Sequence, residues 1–324
     1  MSEAPERSQR NPDHSEQEGV FDRLSIVVLA FNRQLALAET LDALRPLHEA
    51  GAEVIVADNA SADDTSAMVK DRFGWARLLT LEENLGVAGF NRGADLATRD
   101  ILLILDDDAR PDYAGLAEAL GVMLADASIG GVMLRRTHPK TGLDEWPFDR
   151  VTDRRRRWPD MGCGNLIRRD AWNTVGGYEE HFFLYRNDTD MALKLQGAGF
   201  DVLYDPLWRV WHDSPTVQRQ KPRWFRLSTR NWVWMCRRHG RGLITIRGVL
   251  LGWAWAHRLA GLSLSRQWSA LRGAIEGLAA GPPKLPESVR ADGRALGSLL
   301  SLKSTLRKSR SCSAGGSPAS GSIA

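Results

Sequence analysis

The 324-residue sequence predicts an α/β fold with a mostly parallel, doubly wound sheet and a helical C-terminal extension. Three observations carry this expectation. Short aliphatic runs alternate with helical-period segments from Leu24 to His212, the pattern of strands joined by crossover helices. The pentad Ile101-Leu102-Leu103-Ile104-Leu105 is apolar without alternation, so it reads as a strand covered on both faces. After residue 220 the strand pattern ends and the charge reverses: residues 1–220 carry 25 Lys/Arg against 37 Asp/Glu, whereas residues 221–324 carry 18 against 3.

Residues 1–22 are polar and predicted disordered. A first strand is expected over Leu24 to Phe31, then a helix with Leu35, Leu37, Leu41, Leu44 and Leu47 at helical spacing. A second strand spans Glu53 to Asp58, and Ser61 is placed to cap a helix reaching about Phe73. A third strand near Arg77 to Leu81 leads into ENLGVAGFNRG, a helix, and the strand that ends at Asp106-Asp107-Asp108. A helix near Tyr113 to Ala125 and a strand from Ile129 to Arg135 come next; Thr137 to Pro159 reads as an irregular loop holding Arg154 to Arg157. Met161 to Arg168 re-enters the sheet, Asp170 caps a short helix ending at Gly176-Gly177, and a further helix runs from about Asn187 to Ala198. Strand-like stretches Asp201 to Tyr204 and Trp208 to His212 close a domain of residues 23–220. Residues 221–302 form a basic, Trp-rich helical extension, and 303–324 a Ser/Gly/Ala-rich disordered tail.

The composition excludes several classes. Cys163, Cys236 and Cys312 are far apart with no CxxC pair, so neither a zinc site nor a disulfide framework is indicated, and a reducing cytoplasm is expected. The N-terminus lacks a signal-like apolar core, and the most apolar stretch, Leu243 to Leu264, is interrupted by Arg247, His257 and Arg258. Eight of the twelve tryptophans fall from Trp208 onward, so the basic part is interleaved with large aromatics. That mixture suits an anionic membrane surface better than nucleic acid, so peripheral attachment is expected and nucleic-acid binding is not.

The chemistry concentrates at strand ends. Asp106 and Asp108 leave the fourth strand on one side and Asp107 on the other, and paired carboxylates there suit Mg2+ or Mn2+ holding a diphosphate. Asp58 ends the second strand, so both carboxylate groups can reach one crevice. Asn84, Gly86 and Arg92 stand in a glycine-bearing segment suited to close approach by a ligand; there is no GxGxxG after the first strand, where Phe31-Asn32-Arg33 stands instead. Asp188 opens a helix behind His181-Phe182-Phe183-Leu184-Tyr185, where apolar neighbours would raise its pKa and fit it as a general base. Asp190 is the alternative. His212 ends a strand and can complete a metal shell or bind phosphate.

Five segments in order resemble the family 2 glycosyltransferases of the GT-A fold: SIVVLAFNR, VIVADNASADDT, ENLGVAGFNRG, ILLILDDDARPD, and GCGNLIRRDAWNTVGGYEEHFFLYRNDTDMALKLQGAGF, with VWHDSP where the family often has its late histidine. The subgroup most similar transfers rhamnose or related sugars to bacterial cell-envelope polysaccharides. The resemblance implies a Rossmann-like GT-A nucleotide-diphospho-sugar transferase fold and inverting, metal-dependent transfer from a UDP- or dTDP-sugar to a glycan or lipid-linked acceptor. Asp58 would contact the base and Asp106 the ribose. Asn32, Asn84, Gly86, Arg92 and Asp107 would join the nucleotide-sugar site. Asp108 and His212 would serve the Mg2+ or Mn2+, and Asp188 would be the catalytic base. Asn187 departs from the acidic residue common at that place. A non-catalytic nucleotide-sugar-binding protein on the same fold is the alternative.

Overall fold

The computed structural model describes residues 19–145, 147–213, 221–282, 284–291 and 293–302; of the segments expected to be disordered, 1–18 and 303–324 lie outside them, whereas residues 19–22 are ordered, because Phe21 is buried in the core at the start of a 3-10 turn, Phe21–Arg23. An eight-stranded sheet organises the chain in the order β3-β2-β1-β4-β7-β6-β8-β5. Its strands are β1 (Leu24–Ala30), β2 (Glu53–Asp58), β3 (Arg77–Thr80), β4 (Ile101–Asp106), β5 (Ala109–Pro111), β6 (Ile129–Thr137), β7 (Asn165–Arg168) and β8 (Asp201–His212). The first four pair in parallel. β7 enters antiparallel between β4 and β6, and β8 runs parallel to β6.

The aliphatic pentad behaves as its lack of alternation requires. Leu102 and Ile104 enter one core cluster, and Ile101, Leu103 and Leu105 the other, on the opposite face. Because β1 lies between β2 and β4, consecutive crossovers leave to either side of it, and a crevice opens beyond the carboxyl ends of β1 and β4.

Helix α1 (Gln34–Glu49) buries Leu37, Leu41, Leu44 and Leu47 on the sheet, while Leu35 is exposed rather than part of that face. Helix α2 (Thr65–Arg72) begins four residues after Ser61, which is not its cap: the Ser61 amide instead donates to Asp58 in a turn at the strand end. Helices α3 (Ala88–Ala94), α4 (Tyr113–Ala125), α5 (Arg169–Val175) and α6 (Asn187–Gly197) complete the layers. Asp170 lies in the first turn of α5, whose N-cap is Arg168. The two stretches expected around Pro206 are one strand, β8, with a register shift opposite Met133 and Arg135. β5 was not expected; it is three residues held by β8.

The extension comprises α7 (Pro222–His239), α8 (Leu243–Ala260), α9 (Leu264–Ala279) and helical residues 293–302. Half of the eight late tryptophans are core, correcting the expectation of an aromatic surface: Trp208 of β8 and Trp224, Trp232 and Trp234 of α7 are buried, Trp211, Trp253 and Trp255 are half-buried, and of the eight Trp268 alone is exposed. Trp232, Trp234, Met235 and Cys236 join the cluster beneath the sheet. Among the described residues no helix is long and apolar enough to cross a membrane.

Candidate active site

A cavity of about 610 Å³ fills the crevice. The Asp106–Asp108 turn and His212 lie along one side, Asn59, Asn84 and Gly86 line another part, and Asp188, Tyr178 and Trp224 complete the lining. The structure thus brings together Asn84, Gly86, Asp106, Asp107, Asp108, Asp188 and His212.

At the strand end, Asp106 faces the cavity while Asp107 and Asp108 are buried. Arg33 spans the latter two, at 3.0 Å from Asp107 Oδ1 and 2.7 Å from Asp108 Oδ2. Burial pushes the Asp107 carboxyl up to about 7 against the charge of Arg33. For Asp108 burial also acts upward, but His212 and Arg33 outweigh it and hold its carboxyl below the usual range. His212 is carried here by β5, which pairs Ala109 with His212. Its Nε2 lies 3.6 Å from Asp106 Oδ2 and 3.1 Å from Asp108 Oδ1, and its Nδ1 lies 2.6 Å from Glu145 Oε2. Burial would lower the imidazole pKa; the Asp108 and Glu145 carboxylates raise it instead.

The residues fit a divalent cation. Asp108 Oδ1 is buried and makes no well-aligned hydrogen bond, with His212 Nε2 at 3.1 Å from it, so a cation set between the carboxylate and the imidazole would satisfy both atoms. Asp106, Cys163 and His212 offer ligand atoms within 4.8 Å of one another. Asp106 thereby joins the metal-facing group, beside the expected Asp108 and His212.

Three expected residues sit outside the cavity lining. Asp58 is buried and satisfied locally, accepting from the Ser61 amide at 3.0 Å and from the Ser66 hydroxyl. Asn32, in the left-handed region at φ 53°, ties two loops together by accepting from the Ala62 amide at 2.7 Å. Arg92 pairs with Glu180 at 3.2 Å on the surface. Asn59, next to Asp58, lines the cavity in its stead. Its Oδ1 accepts from the Leu85 amide at 2.9 Å, and its Nδ2 donates to Asn84 Oδ1 and to the Gly86 carbonyl, both at 3.0 Å. Gly86 is required there: its φ is +59°, and a Cβ would meet the Phe183 carbonyl at 2.1 Å.

Asp188 stands in the first turn of α6. Tyr178 donates to its Oδ1 at 3.0 Å and Asn187 Nδ2 at 3.1 Å. Burial, then the charges of Asp160 and Asp106, push its carboxyl up to about 7 despite Arg136 and Tyr178. The missing acidic neighbour at Asn187 is thus compensated by desolvation and by carboxylates distant in sequence. Asp190 is removed as the alternative base. It points into the core, where His239 Nε2 lies at 2.9 Å and Arg238 Nε at 3.3 Å, and these offset burial to hold it at about 2. The arginine run is engaged within the chain: Arg154 pairs with Asp205, and Arg156 with Asp126 at 2.6 Å and Asp201 at 2.8 Å.

Sequence reasoning missed Arg33, Glu145, Cys163 and Tyr178 in this site. Arg33 carried a signal, standing just past a buried strand end. Glu145 carried none, because it lies in an irregular loop and meets His212 from 67 residues away.

Comparisons with known proteins bear on the fold that carries this site. A Mycobacterium tuberculosis protein named N-acetylglucosaminyl-diphospho-decaprenol L-rhamnosyltransferase is 26% identical over 237 residues, covering 59% of this chain and 76% of that one. Among solved structures, the Pyrobaculum calidifontis mannosyltransferase PcManGT in complex with GDP-Man and Mn2+ superposes with a TM-score of 0.55 at 22% identity, covering 88% of this chain and 82% of that one. S. aureus TarS in complex with UDP-GlcNAc superposes with a TM-score of 0.57 at 15% identity, covering 79% and 81%. These share the GT-A transferase fold. The family model described as Glycosyl transferase family 2 matches residues 25–192, from β1 through the helix that carries Asp188, and the chain belongs to that family.

Proposed function

We propose that this protein is an inverting glycosyltransferase that moves a sugar from a UDP- or dTDP-sugar to a hydroxyl of a cell-envelope glycan or lipid-linked acceptor. dTDP-rhamnose is the first donor to test. The observation that carries this reading is Asp188, a carboxyl poised near neutrality that shares one cavity with the Asp106–Asp108 turn. The name of the mycobacterial relative supports the rhamnosyl donor and the lipid-linked acceptor.

In this reading Asp188 takes the acceptor hydroxyl proton. Both of its hydrogen-bond donors engage Oδ1, which assigns Oδ2 to that proton. The acceptor oxygen bonds to the anomeric carbon as the bond from that carbon to the diphosphate oxygen breaks, on the opposite face. Asp106, Asp108 and His212 would hold a divalent ion, which when bound offsets charge on the leaving diphosphate. Arg33 adds a positive charge beside the Asp107 and Asp108 carboxylates, and Asn84 and Gly86 would border the nucleoside end.

The membrane contact belongs to the same reading. On α8, α9 and the turn between them the side chains of Leu243, Ile246, Leu250, Leu262, Leu264 and Trp268 are exposed, and Arg247, Arg258 and Arg272 on the same helices are exposed too. An apolar ridge flanked by arginines suits an anionic leaflet on the cytoplasmic side, where a lipid-linked acceptor is reached.

Calorimetry with UDP, dTDP and GDP, each with and without Mn2+, tests the donor reading. The expected result is metal-dependent binding of UDP or dTDP that is lost in Asp108→Ala. Binding of none of the three by folded protein would overturn it.

A further inference from the structure

The cation site contains a residue that the donor chemistry does not need. Cys163 lines the cavity, and its Sγ, a carboxylate oxygen of Asp106 and a ring nitrogen of His212 lie within 4.8 Å of one another. A tetrahedral ion with bonds of about 2.0–2.3 Å has ligand–ligand edges of about 3.3–3.8 Å. The three atoms therefore sit within about 1 Å of a ligating arrangement before any ion enters. A fourth donor is at hand: Asp108 Oδ1, buried and without a well-aligned hydrogen bond, lies 3.1 Å from His212 Nε2.

Two further features mark this as a prepared site. Glu145 Oε2, 2.6 Å from His212 Nδ1, fixes the imidazole with Nε2 toward the cluster, the carboxylate–histidine–metal arrangement that orients and strengthens histidine ligands. Cys163 is held between Gly162 and Gly164, both in the left-handed region at φ +82° and +71°. The Gly164 amide is anchored to the Ile104 carbonyl at 3.0 Å, so the thiol is tied to the strand that presents the aspartates.

We infer that Cys163 is a ligand of the divalent cation held by Asp106, Asp108 and His212, and that the site takes Zn2+ or Co2+ more tightly than Mg2+. The reason is ligand softness: thiolate and imidazole favour borderline ions, whereas Mg2+ requires oxygen ligands. As the sulfur–metal bond forms, the thiol proton passes to solvent. This inference rests on the cation site of the proposed function and adds the identity of one ligand and the rank order of ions.

The test is anaerobic titration of the full-length protein with Co2+, read by absorption without turnover. Wild type is expected to develop visible ligand-field bands together with a near-ultraviolet sulfur-to-cobalt charge-transfer band. Cys163→Ser should keep the ligand-field bands, lose the charge-transfer band, and bind Co2+ about tenfold more weakly or worse. Cys163→Ala, compared by circular dichroism with wild type, guards against a folding defect in the serine variant. Cys312→Ser should retain the charge-transfer band. In competition, Zn2+ should displace Co2+ from wild type at concentrations where Mg2+ does not. Co2+ binding without a charge-transfer band, or a band that survives in Cys163→Ser, would overturn the role of Cys163 and leave the carboxylate–histidine site standing. No Co2+ binding at all would overturn both.

Discussion

Asp188→Asn separates the two things asked of Asp188, a proton acceptor and a buried charge. The variant keeps the shape and both hydrogen bonds, because the amide oxygen still accepts from Tyr178 and Asn187. In the wild type the folded chain holds this proton up to about 7, whereas an ordinary aspartate releases it near 3.8. Between those values the folded state binds the proton that the unfolded state has lost, so wild-type stability falls as pH rises through this window. At pH 8 the full cost is about 4 kcal/mol for an unrelaxed site, and about 2–4 kcal/mol once water reaching a partly exposed carboxylate is allowed for. The asparagine variant carries none of it. Its advantage in melting temperature over wild type should therefore widen from pH 5 to pH 8 by about 1.5–2.5 kcal/mol, or about 3 °C for a chain of this length. Differential scanning calorimetry at matched ionic strength measures this. The same variant should lose about 10²–10⁴ in kcat, while wild-type kcat rises with pH through about 7 as the base ionises. A melting difference that does not change with pH would refute the buried-charge argument, and a kcat equal to wild type would refute the base assignment.

Asp190→Asn breaks a buried pairing with Arg238 and His239 and should cost about 3–5 kcal/mol at pH 7 by urea denaturation, while folded protein binds UDP or dTDP as wild type does. The stabilisation from Asp190 is present above 3.8 and lost as pH falls toward about 2. Gly86→Ala puts a Cβ 2.1 Å from the Phe183 carbonyl at a left-handed φ, and should destabilise by about 1–3 kcal/mol with a measurable fall in kcat. The double variant Leu250→Glu/Trp268→Glu alters two exposed side chains, so it should leave the melting temperature near wild type yet abolish sedimentation with anionic vesicles. Undiminished vesicle binding would refute the membrane reading.

The sheet was legible because burial on both faces leaves a plain mark: Ile101 to Leu105 could be nothing but a covered strand, and the carboxylates after it had to sit at the sheet's carboxyl edge. Helix starts were less legible. Ser61 has the chemistry of a cap, but Asp58 takes its amide in a turn, a competition between local hydrogen bonds that spacing does not decide. The tryptophans misled because position in a basic segment says nothing about which face of a helix meets the core. The site was half legible. Asp106, Asp107, Asp108 and His212 at strand ends line the cavity while Asp58, also at a strand end, does not, and Glu145 and Cys163 reach the cluster only from the loop before β7, where no periodic pattern announces their direction. The three-residue β5 is too short for any pattern, yet it is what sets His212 beside Asp108.

The basic extension also bears on catalysis through the segment before Asp188. Phe183, Tyr185 and Arg186 all have positive φ, at 61°, 71° and 67°. Each such non-glycine conformation costs about 1–3 kcal/mol and persists only when its surroundings impose it. Those surroundings are largely α7. Asn231, fully buried, sets its Nδ2 within 2.9 Å of the Phe182 carbonyl, 2.7 Å of Leu184 and 2.9 Å of Tyr185. Arg186 donates to Ser228 Oγ at 3.1 Å and lies against the rings of Trp232 and Trp255, 5.4 and 5.0 Å from their centroids. The turn that aims Asp188 is therefore held largely from the extension, with one tie from the core, where the Val87 amide donates to the Phe183 carbonyl at 2.7 Å. Asn231 is a positioning residue in this account. Asn231→Ala should lower kcat by about 10–100-fold through misplacement of the proposed base, with affinity for UDP or dTDP unchanged, because the end of the cavity proposed for the nucleoside is lined from β1, the end of β2 and the Asn84 loop. A loss of nucleotide affinity matching the loss of kcat would mean that α7 supports the whole fold and not the base. An unchanged kcat in a folded variant would mean that the strained turn holds itself.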